Sequence, residues 1–182
     1  HKHGAITVVD AVHYAPHKPI DVKEIGTDVL LCSAYKFFGP HLGIMYIQKD
    51  LGERVRSLRV MAYDNEHTPH KFETGTQAME LTAGAVEAVE FIADIGQKHA
   101  AFFEKEVSGL TGRRRDVVAG MLAIDAYEEQ LAQKMREELP KIPGLKIYGP
   151  GDGHPRTSTV SFRIEGFHMQ KLAEYMGDRG LF

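Results

Sequence analysis

Two short apolar runs constrain this chain more than any other feature: "AITVVDA" at 5–11 and "TDVLLCSA" at 27–34. Both are β-branched or aliphatic almost throughout, the pattern of strands covered on both faces in a buried sheet. A brief helical connection, "DVKEIG" at 21–26, lies between them. We expect parallel neighbours joined by a crossover, which places both carboxyl ends on one edge of the sheet. A third run, "GIMYI" at 43–47, begins after the four residues that follow Phe38 and is close enough to pair antiparallel with the second.

Residues 51–74 read as polar and irregular. From Thr76 the pattern turns helical, with Met79, Leu81, Val86, Val89, Ile92 and Ile95 at helical spacing out to about Val107. "SGLTG" breaks it. A second helix is expected from Arg114 to Leu139, with Val117, Met121, Ile124, Leu131 and Met135 on one stripe and Pro140 and Pro143-Gly144 as stops. The remainder reads as strand, turn-rich loop, strand and helix, a small α+β unit. The expected fold class is therefore α/β: a partial large-domain sheet over 1–76, a long connecting helix over 77–112, and a small C-terminal α+β domain over 113–182. The chain opens without Met on "HKHGAITVVD" and closes on "GDRGLF" as the next element starts. We read it as an internal piece of a longer protein.

Composition narrows the function classes. A net charge of −3 provides no basic field, so nucleic acid is not an expected partner. No apolar run has the length of a membrane span, and no secretory h-region is present. One cysteine, Cys32, excludes an internal disulfide framework and fits a reducing, cytoplasmic setting.

The chemistry concentrates in "SAYKFFGP". Asp10 ends the first run and Lys36 follows the second, 26 residues on, so the expected topology brings a carboxylate and an amine to one edge. An amine must be neutral to attack a carbonyl, yet a lysine of pKa about 10.4 is less than ~0.1% neutral at pH 7. Apolar walls such as Phe37 and Phe38 disfavour the ammonium and lower that pKa. An aldehyde cofactor then condenses with Lys36 as a Schiff base, while a buried Asp10 carboxylate holds a pyridine nitrogen protonated. His13 is placed to contact the ring, and Ser33 and Tyr35 offer hydroxyls to a phosphate. The residues alone leave a second reading open, in which Lys36 snorkels to solvent or pairs with an acid.

"VDAVHYAPHKPIDVKEIGTDVLLCSAYKFFGPHLGIMYI" resembles the pyridoxal-phosphate segment of class V aminotransferases, particularly their cysteine-desulfurase-like members. "FETGTQAMELTAGAVEAVEFI" resembles the family's later Gly-Thr motif at the start of a long helix. "STVSFRIEGFHMQKLAEYMGDRGL" looks like the start of its C-terminal domain. The resemblance implies the fold of pyridoxal-phosphate-dependent transferases (fold type I), with pyridoxal 5'-phosphate on Lys36 and Asp10, His13, Ser33 and Tyr35 around it. It also implies that Gly75 and Thr76 serve the cofactor phosphate of a neighbouring subunit, which makes a homodimer part of the site. A helix N-terminus suits such a phosphate.

Within the family, the resemblance implies an enzyme acting on an amino acid, with desulfurase-like carbon–sulfur cleavage first. Desulfurases usually carry Gln where this chain has His13, and His where it has Tyr35. Kynureninase resembles this chain better at both positions, though its Asn-containing loop after the lysine differs from "FFGPH", so hydrolase or transaminase chemistry stays open, as does a truncated domain that keeps only fold and dimer surface. The desulfurase cysteine and the carboxylate-binding arginine normally lie beyond Phe182. Cys32, inside a strand, reads as a small buried thiol. His1 and His3 are not expected to hold a metal, and His17 and His41 read as surface or supporting groups. Arg113, Arg114 and Arg115 read as a solvated helix start, and "GPGDGHP" as a turn.

Overall fold

The computed structural model describes residues 2–58, 67–73, 75–151 and 153–181. The expected irregular stretch over 51–74 lies partly outside these, as does His1, so the reading of His1 and His3 falls outside the described residues. The chain divides into two compact units, 1–123 and 124–182, with the division inside a long helix. The reading from sequence placed its boundaries at 76/77 and 112/113.

In the first unit the apolar runs form strands β1 (Val8–Asp10), β2 (Val29–Ser33) and β3 (Gly43–Ile47), in the order β1-β2-β3. β1 runs parallel to β2 with Val8 opposite Val29 and Asp10 opposite Leu31. β3 runs antiparallel to β2, Leu31 facing Met45 and Ser33 facing Gly43. Both pairings are those expected from sequence. The starts of the parallel strands are tied together by side chains. Thr7 donates to Asp28 Oδ2 from its amide at 2.8 Å and from its hydroxyl at 3.0 Å. Thr27 Oγ1 donates to the Val29 carbonyl at 2.8 Å. These bonds satisfy polar groups where the strands begin and help set the register.

The crossover contains helix α1 (Val22–Ile25). Asp21 caps it, its Oδ1 accepting from the Lys23 and Glu24 amides at 2.9 and 3.2 Å. Gly26 ends it at φ 68°, the left-handed C-cap that costs glycine nothing. Helix α2 (Lys49–Arg54) follows β3, so part of the stretch read as irregular is helical.

Helix α3 (Met79–His99) ends earlier than the sequence suggested, passing into a 3₁₀ turn at Ala100–Phe103. Helix α4 (Gly112–Glu138) matches the expected second helix to within two residues. The buried faces differ from expectation. On α3 the buried residues are Ala85, Ala88, Ile92, Ala93 and Gly96, while Met79 and Val86 are exposed. On α4 they include Val118, Ala119, Met121 and Ala132, while Leu131 and Met135 are exposed. Close backbone approach explains the shift. A Cβ on Gly96 would lie 1.8 Å from the Asp116 carbonyl oxygen, and one on Gly120 would lie 2.0 Å from that of Ile92. Helices this near each other bury their small residues and turn larger ones outward.

One sheet face is covered: Leu30 is buried, and Cys32 lines a cavity with Phe37, Val89, Ile92, Val117 and Met121. On the other face Val8, Leu31 and Met45 are exposed. The expectation of strands covered on both faces is met on one side only.

The second unit contains β4 (Leu145–Tyr148) and β5 (Ser161–Ile164), paired antiparallel, then helix α5 (Met169–Gly177). Met169, Leu172, Ala173 and Met176 of α5 line an apolar groove with Phe162 of β5. The strand, loop, strand, helix order is the one expected. Among the described residues no helix is long and apolar enough to cross a membrane.

Candidate functional site

Lys36 sits on a loop whose backbone closes on one carbonyl. After Ser33 the chain makes a 3₁₀ turn, Ala34–Lys36, and the Ala34 carbonyl accepts from the Phe37 amide at 3.0 Å and the Gly39 amide at 2.8 Å. The Ala34 amide donates in turn to the Leu42 carbonyl at 2.8 Å. This closure explains Gly39, where a Cβ would lie 2.8 Å from Ala34 Cβ and 2.9 Å from its oxygen. It also places Phe38 in the left-handed region at φ 69°.

α3 supports the same loop. A Cβ on Gly84 would lie 3.2 Å from Pro40 Cγ, and the Phe38 and Phe91 rings meet edge to face at 5.2 Å. Tyr35 stacks on His41 with centroids 4.8 Å apart and planes 15° from parallel. The Lys36 ammonium lies 5.2 Å from the Tyr35 ring centroid, at cation–π distance.

The parallel pairing brings the other candidates to this edge. Asp10 ends β1 opposite Leu31, and Ser33 lies two residues beyond Leu31. By the two-residue period of a strand, Asp10, Leu31 and Ser33 share the open face. Asp10 Oδ1 accepts from the Val12 amide at 3.0 Å, turning the chain into the bend that carries His13. Among the described residues, neither the Asp10 carboxylate nor the Lys36 ammonium forms an ion pair, and Lys36 makes no hydrogen bond.

Three expectations are corrected. Asp10 is exposed rather than buried, Lys36 is exposed, and Phe38 is 59% exposed and walls nothing off from water. Phe37, 8% exposed, packs into the core instead. Asp10 and Lys36 stand at a face and edge that the described residues leave uncovered, and Phe38 turns to meet Phe91 of α3.

Gly75 and Thr76 lie on the approach to α3, Gly75 at φ 97°. Ala78, at the N-cap of α3, offers no capping side chain, so first-turn amides there have no side-chain acceptor. Among the described residues no hydrogen bond or ring contact joins Gly75 or Thr76 to Asp10, His13, Ser33, Tyr35 or Lys36.

The arginine run is not merely solvated. Arg113 pairs with Glu90, Arg114 donates to the Ile20 carbonyl at 3.2 Å, and Arg115 pairs with Glu104 at 2.9 Å. Cys32 is half-buried rather than fully buried as expected, and this partial burial pushes its thiol up from the ordinary range. Sequence reasoning missed the supports of the loop: Gly39, Gly84 and Phe91. Only the Gly-Pro that follows the lysine loop signalled one of them.

The chain matches the Aminotransferase class-V family over residues 1–113 and 117–182. It is 30% identical to a probable cysteine desulfurase of Halalkalibacterium halodurans, over 100% of this chain and 41% of that protein. It is 27% identical to a cysteine desulfurase of Haloferax volcanii, over 100% of this chain and 39% of that one. An aminotransferase-like protein of Gibberella zeae is 30% identical over 94% of this chain and 38% of its own length. Among solved structures, the apo cysteine desulfurase of Thermococcus onnurineus superposes with a TM-score of 0.71 at 22% identity, covering 100% of this chain and 42% of that one. A cysteine desulfurase of Escherichia coli gives 0.70 at 21% identity and 41% of its chain. The fold is thus the α/β fold of part of those enzymes, and the chain spans about two fifths of the length of its relatives. It belongs to the class-V aminotransferase family.

Proposed function

We propose that the full-length protein is a pyridoxal-phosphate-dependent enzyme acting on an amino acid, with cysteine-desulfurase-like carbon–sulfur cleavage as its reaction. The observation that carries this reading is the edge itself. A carboxylate and a hydroxyl stand on one sheet face, and an ammonium without an anionic partner among the described residues follows the next strand end.

The donor set fits the cofactor. Asp10 supplies the acceptor a protonated pyridine nitrogen requires, and Lys36 supplies the amine. Ser33 and Tyr35 supply phosphate donors, and His13 a planar group for the ring. Gly75 and Thr76, ahead of a helix start without a side-chain cap, supply donors for a phosphate, which the family resemblance assigns to the partner subunit of a homodimer. When bound, pyridoxal phosphate supplies an aldehyde for the amine and a ring that takes up electrons from the substrate's α-carbon. Lys36 holds the cofactor and then moves the α-proton as acid and base. Asp10 keeps the ring nitrogen charged.

His13 and Tyr35 favour a second reading, kynureninase-like hydrolysis. One experiment separates them. The full-length protein is titrated with pyridoxal phosphate, then given cysteine or kynurenine. We expect a near-visible absorbance band that Lys36→Ala abolishes, and alanine from cysteine, with the sulfur released as sulfide when a thiol reductant is supplied with the substrate. Alanine with anthranilate from kynurenine would replace the leading reading by the second. No band at saturating cofactor would leave a domain that keeps the fold without the chemistry.

A further inference from the structure

Lys71 is the most deeply buried charged side chain of the described residues, 1% exposed. Its ammonium donates to the Glu53 carbonyl at 3.1 Å and the Val55 carbonyl at 2.8 Å, and lies 5.3 Å from the Phe72 ring centroid. Those carbonyls stand at the C-terminal end of α2, where helix carbonyls lack intrahelical partners and the dipole favours a cation.

Burying an ammonium is costly, and an apolar residue of the same length would fill the volume at less cost. What the apolar residue lacks is direction. Two hydrogen bonds to named carbonyls set both the distance and the rotation of one backbone segment against another. A second contact supports the same junction. A Cβ on Gly52 of α2 would lie 3.0 Å from Thr68 Oγ1, so the two backbones pass close together there as well.

The segment held this way leads to Gly75 and Thr76. Lys71 lies in the 3₁₀ turn His70–Phe72, and Glu73, next along, accepts from Gln77 Nε2 at 3.1 Å beyond Thr76. α2 follows directly from β3, which pairs with the strand leading to Lys36. Lys71 therefore lies between the lysine-bearing sheet and the Gly75–Thr76 arm.

We infer that Lys71 is a positioning residue that places Gly75 and Thr76 for a phosphate group. It acts through backbone hydrogen bonds, without touching the ligand. This rests on the reading under Proposed function, in which Thr76 meets the cofactor phosphate.

The test compares two probes on the full-length protein, pyridoxal phosphate and pyridoxal, by absorbance titration. Both engage Lys36, and only the first carries a phosphate. Lys71→Met is expected to weaken pyridoxal phosphate by about tenfold, the equivalent of one lost phosphate hydrogen bond, and to leave pyridoxal within about twofold. Lys71→Arg, which keeps donors, is expected to recover part of the difference. Equal weakening of both probes, or a lowered melting temperature with an unchanged ratio, overturns the inference. Should Lys71→Met fail to fold, Lys71→Gln supplies the same ratio. Wild-type protein that binds neither probe sinks the parent reading and this inference with it. Wild-type protein that binds both, with a variant ratio unchanged, sinks this inference alone.

Discussion

Gly96 of α3 and Gly120 of α4 meet backbone to backbone: a Cβ added to Gly96 would lie 2.7 Å from the Gly120 nitrogen. Adding a methyl group to a helical glycine ordinarily stabilises by about 1 kcal/mol through propensity. Here the sign reverses, because the methyl on Gly120 would meet the Ile92 carbonyl oxygen at 2.0 Å and the helices must move apart. Gly120→Ala is expected to cost about 3 kcal/mol or more, at the upper end of overpacking penalties. Urea denaturation reads this as a lowered midpoint at an unchanged slope. An unchanged midpoint means the helices do not cross this closely.

Asp21 predicts a pH effect of definite sign. The amides of Glu24 and Lys23 hold its carboxyl below the ordinary carboxylate range. A carboxylate depressed in the fold stabilises it above the unfolded pKa, and that contribution is lost as pH falls through the folded value. The window therefore opens at about pH 4 and extends downward. Asp21→Asn is expected to flatten the stability–pH curve there and to leave its shape near neutrality unchanged. Denaturation series at several acid pH values check it; two curves of the same slope below pH 4 would refute the cap.

The strands were legible because each run is local and apolar, and the parallel pairing followed from a crossover between two such runs. Asp10 and Lys36 reached one edge for the same reason. The helix faces were harder to read. Met79 and Val86 share a periodic stripe with Ile92, yet only Ile92 is buried, because glycine and alanine at the crossing decide which side faces in. Burial of the site groups was not legible either. Desolvation of Asp10 and Lys36 depends on what covers the open sheet face, and no local pattern reports that. Lys71 escaped notice as a charge in a polar stretch, since two main-chain carbonyls leave no mark in side-chain identity.

Cys32 is expected to be chemically quiet. Its thiol is pushed up by burial, so at neutral pH the reactive thiolate is scarcer than in free cysteine. Iodoacetamide should label Cys32 in the folded protein more slowly than a cysteine-containing peptide at pH 8. The linkage sign is the opposite of Asp21's: a raised thiol favours the fold at lower pH, and that contribution falls away as pH rises past the unfolded value. Cys32→Ala should retain any sulfide release from cysteine measured with a thiol reductant present. Loss of that activity, with cofactor still bound, would make Cys32 a participant.

Gly39 links the lysine to the fold, and its replacement separates loop geometry from global stability. The loop closes because the Ala34 carbonyl takes both the Phe37 and Gly39 amides, which brings Gly39 against Ala34 itself. A Cβ on Gly39 meets Ala34 Cβ at 2.8 Å and its oxygen at 2.9 Å, and neither atom can rotate away. The loop must open, carrying Tyr35 and Lys36 off the positions set by the His41 stack and by Phe91. Gly39→Ala is expected to weaken pyridoxal-phosphate binding by about tenfold, since misplacing a reacting group by about 1 Å is costly. The loss of fold stability should stay within about 1–3 kcal/mol. Absorbance titration and urea denaturation on the same preparation give both numbers. Wild-type affinity in a destabilised protein would show that Lys36 finds its ligand from an open loop, and that Gly39 serves only the fold.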